Sequence, residues 1–201
     1  VGQPVLDFFY DFASPYSYLS AARIEALAET HAIMVRWRPF LLGPIFRRQG
    51  WNTSPFNVYP AKGRYMWRDV GRLSSIRELP LVQPDPFPQN GLLAARCVLS
   101  VTGETARAEA TRAIFHAGFG EGAQISDPDV VRAALDGAGL DGTALLAAAA
   151  GDAAKMALRT NTDEAVSHGI FGAPSFVASD GEMFWGDDRI DDAIRWTVGR
   201  T

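Results

Sequence analysis

Strand-like sequence in this chain is confined to its two ends, and everything between about residues 40 and 170 reads as helix or loop. At the front, 5–10 and 33–39 carry the aromatic and β-branched side chains that suit a pleated, buried surface. At the back, Ser175-Phe176-Val177-Ala178 and Glu182-Met183-Phe184-Trp185 flank Ser179-Asp180-Gly181, whose Asp-Gly pair is a hairpin signal. Two strands alone make a marginal sheet, so neither end is a convincing folding unit. Together they make a four-stranded mixed sheet. A helix over 15–30 separates the first two strands, which implies a right-handed βαβ unit with parallel strands. A last helix begins near Asp187, where Asp187, Asp188, Asp191 and Asp192 suit a helix N-terminus. The expected class is therefore α/β, in the order βαβ…ββα with a large all-helical insertion. The sheet domain is discontinuous, 1–40 with 170–201, around a helical domain over 41–169.

Within the insertion, 61–77 is predicted helical: Met66, Val70, Leu73 and Ile76 form an apolar stripe, and Arg64, Arg68 and Arg72 a basic one at i, i+4 spacing. Residues 51–60 read as a loop, and 79–89, with four prolines, as an irregular connector. Helices follow over 91–101, 105–119, 127–138 and an alanine-rich run over 141–168.

Hydrophobic content of 47% and charged content of 21% are those of a globular protein, and no uncharged apolar run reaches the roughly 18 residues of a transmembrane helix. With no visible signal peptide, a cytoplasmic location is expected. One cysteine, Cys97, excludes an intramolecular disulfide; His31, His116 and His168 lie far apart, so no metal site is expected. Residues 23–77 hold ten Lys/Arg against three acids, a surplus of seven in a chain of net charge -4. Basic sequence inside an acidic protein points to a local anion site. With a pI near 5.4 and no nucleic-acid motif, a nucleic-acid partner is not expected.

The sharpest chemical signal sits where the first strand ends. In Ala13-Ser14-Pro15-Tyr16, proline suits the first position of a helix and serine the cap before it. Such a terminus offers unpaired N–H groups and a positive partial charge. A plain helix cap has the same local sequence.

The element order resembles the thioredoxin fold with a helical insertion, as in disulfide oxidoreductases of the DsbA type. The stretch 9–19, Phe-Tyr-Asp-Phe-Ala-Ser-Pro-Tyr-Ser-Tyr-Leu, sits where such proteins carry Cys-X-X-Cys, with serine at both cysteine positions. Gly172-Ala173-Pro174-Ser175-Phe176 resembles the segment whose proline is cis in that fold. Gly186-Asp187-Asp188-Arg189 is similar to the Gly-(Ser/Asp)-Asp-Arg motif of kappa-class glutathione transferases. Residues 38–46 and 60–69 resemble the 2-hydroxychromene-2-carboxylate isomerase family, glutathione-dependent enzymes of aromatic compound degradation. Two segments depart from that family: the loop 51–59, and Arg77-Glu78-Leu79-Pro80 in place of a usual Gly-Ile-Pro.

Thiol–disulfide exchange needs a thiolate that positions 14 and 17 cannot supply. The resemblance implies that the sulfur is brought in as glutathione, with Ser14 as the catalytic residue stabilising its thiolate. It implies further that Ala173 and Pro174 hold the cysteinyl backbone, and that Gly186, Asp187 and Asp188 hold the γ-glutamyl end. Lys62 and Asn52 are expected at the glycyl carboxylate or the second substrate. Tyr16, Asn52, Trp37 and Phe40 are expected to contact that substrate, with Phe46 and Trp67 as further candidates for an aromatic wall. The implied activity is isomerisation of an aromatic hydroxy-keto acid by reversible thiolate addition, by a homodimer. A kappa-like transferase acting on other electrophiles and a non-catalytic glutathione-binding module are the alternatives.

Overall fold

A computed structural model of the chain describes residues 2–199. The outermost positions of the expected sheet domain, 1 and 200–201, lie outside the described residues. The sheet has the order β2-β1-β3-β4 and joins both ends of the sequence. β1 (Val5–Tyr10) runs parallel to β2 (Met34–Pro39), with Phe8 opposite Trp37, and antiparallel to β3 (Ser175–Ala178), with Phe8 opposite Phe176. β4 (Met183–Trp185) completes the hairpin with β3 through a turn in which Gly181 has φ +90°. The first and last segments thus pair at the centre of the sheet, as the marginal stability of isolated two-stranded sheets requires.

Alternation along the strands divides the core. Leu6, Phe8 and Tyr10 share one face with Trp37 and Phe176, and pack against helical residues including Val98, Ile114, Phe115 and Ile194. Phe9 and Val177 face the other way, onto Phe40, Ile45, Ala165 and Ile170. The larger core is continuous from the sheet into the helices of the insertion.

The helix expected over 15–30 is two helices, α1 (Pro15–Ala21) and α2 (Ile24–Glu29). The break falls at Arg23, φ −128°, whose side chain reaches across to Asp187. After β2 come α3 (Leu42–Arg48), α4 (Pro55–Val58) and α5 (Pro60–Ile76). Helix α4 lies inside the expected loop: Ser54 caps it through the Phe56 N–H, and Pro55 occupies its first turn. It lies so close to α5 that a Cβ at Gly63 would stand 2.3 Å from the Phe56 carbonyl oxygen.

The proline-rich connector over 79–89 contains no helix or strand. Then follow α6 (Leu92–Leu99) and α7 (Glu104–Phe115), which runs into a π-helical turn, His116–Gly120. Next come α8 (Pro128–Gly137), α9 (Gly142–Ala149) and α10 (Asp152–Ser167). The alanine-rich run is therefore split. Gly151, a poor helix former, is extended (ψ 161°) and starts α10. After β4 a single 3-10 turn, Asp187–Arg189, leads into α11 (Ile190–Thr197). No helix among the described residues is long and apolar enough to cross a membrane.

Candidate active site

The β1–α1 turn is held from inside by Asp11. Its carboxylate accepts the Ala13 N–H at 2.8 Å on one oxygen and the Leu42 N–H at 2.7 Å on the other, tying the turn to the start of α3. Burial raises the Asp11 pKa above the usual carboxylate value, and these two hydrogen bonds oppose that rise. Asp11 belongs to the strand–turn–helix motif, yet no local sequence signal identifies it as a tether, because its partner Leu42 is 31 residues away.

Ser14 caps α1. Its Oγ accepts the Ser17 N–H at 3.2 Å and donates to the carbonyl oxygen of Ala173 at 2.9 Å. The Ala173–Pro174 peptide is cis. The hydroxyl at the first cysteine position therefore touches the segment that precedes β3, across 159 residues of sequence. The carbonyl of Ala173, a residue expected to hold a cysteinyl backbone, is thus already occupied by Ser14. Ser17 Oγ, at the second cysteine position, is buried with no partner among the described residues.

Asp11, Ala13, Ser14, Leu42, Ala173 and Pro174, but not Ser17, line a cleft of about 1500 Å³. Ligand pockets for drug-sized molecules run to about 300–1,000 Å³, so the volume accommodates a tripeptide and a second molecule together. Tyr16, Asn52, Lys62, Gly186, Asp187 and Asp188 also line it. Tyr16 donates from its hydroxyl to Asp69 Oδ2 at 2.9 Å, and Arg72 holds the other oxygen at 2.9 Å. Desolvation and the neighbouring Asp69 raise the Tyr16 pKa, so its phenol stays protonated. Lys62 is exposed, with its ammonium over the Tyr59 ring.

Two expectations need correction at the aromatic wall. Trp37 and Phe40 are each 1% exposed, Trp37 within the larger core and Phe40 within the smaller, and neither lines the cleft. Large aromatic side chains beside a strand are claimed by the sheet's own packing. Besides Tyr16, the cleft's aromatics are Phe46, Trp51, Phe56, Phe87, Phe171 and Trp185. Trp67 stands behind this wall, edge-on to Phe87 at 4.9 Å.

The Gly186-Asp187-Asp188 motif also divides. Gly186 has φ +111°, and a Cβ there would lie 2.5 Å from Asp188 Oδ1, so this turn requires glycine. Asp188 is exposed. Asp187, in contrast, is 4% exposed and already engaged: Ser20 Oγ donates to it at 2.8 Å, Arg77 Nη2 at 2.6 Å and Arg23 Nε at 3.4 Å, while Arg23 Nη2 donates to its backbone carbonyl at 2.5 Å. Two guanidinium groups thus neutralise Asp187 and fix the 3-10 turn beneath the cleft. This departs from its expected role as a ligand for an ammonium group. Arg77, in the segment that departs from the family pattern, supplies half of the partnership.

The chain is similar to known proteins over nearly its whole length. The DSBA-like thioredoxin domain model matches residues 5–194. A 2-hydroxychromene-2-carboxylate isomerase from Sphingobium xenophagum is 30% identical over 188 residues, covering 92% of this chain and 94% of that protein. This chain belongs to the 2-hydroxychromene-2-carboxylate isomerase family, within the DsbA-like thioredoxin domains. The human protein glutathione S-transferase kappa 1 is 29% identical over 199 residues, covering 92% and 87% of the two chains. A solved 2-hydroxychromene-2-carboxylate isomerase superposes with a TM-score of 0.83 at 28% identity, over 98% of this chain and 95% of that one. In this family member, both positions of the Cys-X-X-Cys site are serines, and Cys97 is buried, with its thiol pushed up to about 11 by desolvation.

Proposed function

We propose that the protein is a glutathione-dependent isomerase of an aromatic hydroxy-keto acid of the 2-hydroxychromene-2-carboxylate type. The carrying observation is the Ser14 hydroxyl, which donates to Ala173 beside Pro174 in the lining of a cleft roomy enough for two ligands. Names among the relatives, isomerase and kappa-class glutathione transferase, support the same reading.

When bound, glutathione would supply a thiolate able to add reversibly to a conjugated carbon and leave again. The chain's own residues prepare for that charge. Ser14 has one proton to give; turning its hydroxyl from the Ala173 carbonyl toward a sulfur exchanges a neutral hydrogen bond for a charge-assisted one, which is stronger. The Ala173 carbonyl is thereby released to accept a backbone N–H, as from an added strand. Asp11 keeps the turn in place while Ser14 rotates. Asp188, exposed at the cleft, suits an ammonium group, and Lys62 with Asn52 a carboxylate. Tyr16, protonated and oriented by Asp69, borders the place left for the second substrate.

Ser14→Ala tests the assignment. Loss of one hydrogen bond to a charged group costs about 1.5–3 kcal/mol, which corresponds to a rise of roughly 1–2 units in the pKa of a bound thiol. That rise is measured by ultraviolet titration of the glutathione complex. A bound thiol that titrates identically in Ser14→Ala and the parent would refute the role. Mass balance separates the alternatives: glutathione is recovered after isomerisation, consumed stoichiometrically by a transferase, and bound without turnover by a non-catalytic module.

A further inference from the structure

We propose that Arg47, lining the same cleft as Phe46 and Trp51, is the anchor that selects a planar conjugated carboxylate as the second ligand. The inference rests on the cleft accepting a second molecule, and it adds the residue that recognises that molecule.

Among the described residues, the cations lining the cleft are Arg47, Lys62, Arg77 and Arg189. Arg77 is committed to Asp187 at 2.6 Å, and Arg189 to Asp192 at 3.1 Å and Asp188 at 3.6 Å. Lys62 rests on an aromatic ring. The Arg47 side chain makes no hydrogen bond, ion pair or ring contact with any described residue. An unpaired guanidinium in a concave site is a carboxylate receptor, because its planar fork donates two parallel N–H bonds.

Its placement connects it to the reacting end of the cleft. Arg47 follows Gly43 by one helical turn in α3, and its Nη1 lies 3.8 Å from where a Gly43 Cβ would stand, so the guanidinium folds back toward the start of the helix. That start, Leu42, is the residue whose N–H is bound by Asp11, three residues before Ser14. Arg47 is exposed, but its guanidinium thus folds back along α3 toward the end that Asp11 ties to the turn carrying Ser14.

The neighbouring surface specifies the rest of the ligand. Phe46 and Trp51 lie with ring centroids 5.8 Å apart, and both line the cleft. A cation and an aromatic pair lining one cleft favour an anion whose body is flat and apolar. Arg48, next in sequence, does not line the cleft. The two adjacent arginines are thus distinguishable by experiment.

The test uses trans-cinnamate and its neutral isostere trans-cinnamamide as probes, with binding followed by calorimetry in the presence and absence of S-methylglutathione. In Arg47→Met, affinity for cinnamate falls about tenfold, as for loss of one charge-assisted contact, while cinnamamide binding and that of S-methylglutathione are unchanged. The cinnamate preference of the parent weakens with added salt, because the site is exposed. Arg48→Met leaves cinnamate binding intact. Equal losses for both probes, no loss in Arg47→Met, or a larger loss in Lys62→Met than in Arg47→Met would each overturn the assignment. S-methylglutathione that fails to bind the parent protein would overturn the glutathione reading, while the two cinnamate probes continue to test Arg47 separately.

Discussion

Replacing Asp187 should damage stability more than ligand binding. Its carboxylate is 4% exposed and neutralises Arg23 and Arg77, whose side chains are 24% and 22% exposed. Asp187→Ala removes the shared anion, leaving Arg77 with no carboxylate partner among the described residues, Arg23 with Asp191 alone at 3.5 Å, and the Ser20 hydroxyl unpaired. Breaking a buried pair from one side typically costs about 3–5 kcal/mol. For a chain of this size, about 2–4 °C is lost per kcal/mol, so the melting temperature should fall by roughly 6–20 °C. Arg77→Met should cost less, because Asp187 keeps Arg23 and Ser20. The double variant Asp187→Ala/Arg77→Met should be milder than the two single effects together, by about 1–3 kcal/mol, since each removes the other's burden. Urea unfolding of the four proteins, with unchanged m-values as the check on two-state behaviour, measures the cycle. An Asp187→Ala cost below about 1 kcal/mol, or strict additivity, would refute the argument. A variant of parent-like stability that lost only glutathione affinity would return Asp187 to the role of an ammonium ligand.

Two further outcomes follow from buried titratable groups. Asp11 has a folded-state pKa raised above 3.8 by burial, so the native protein holds this proton to higher pH than the unfolded chain does, and its ionisation opposes folding. The stability of the parent relative to Asp11→Asn should therefore decline as pH rises from about 4 through the raised pKa; parallel pH–stability curves would contradict this. Cys97, buried with its thiol pushed up to about 11, should resist iodoacetamide in the native protein at pH 8 and react fully in denaturant, as read by intact mass.

The sequence alone determined the features that depend on local chemistry or simple counting. Strand signals at both ends, too few on either side to stand alone, require pairing between them, and β1 does lie between β2 and β3. The Ser14-Pro15 cap, the Asp-Gly hairpin and the missing cysteines were legible because each is decided within a few residues. Helix interruptions were not. Arg23 breaks the first helix while binding Asp187, 164 residues away, and no local propensity encodes that partner. The same limit explains the aromatic residues: sequence identifies Trp37 and Phe40 as large and apolar, but only packing decides that they fill the cores while Phe46 and Trp51 face the cleft. It also explains the charges. Sequence counts the cations between 23 and 77; tertiary structure decides which of them meet a carboxylate. Among the described residues Arg77 does, and Arg47 does not, because ion pairing depends on distances that the fold alone sets.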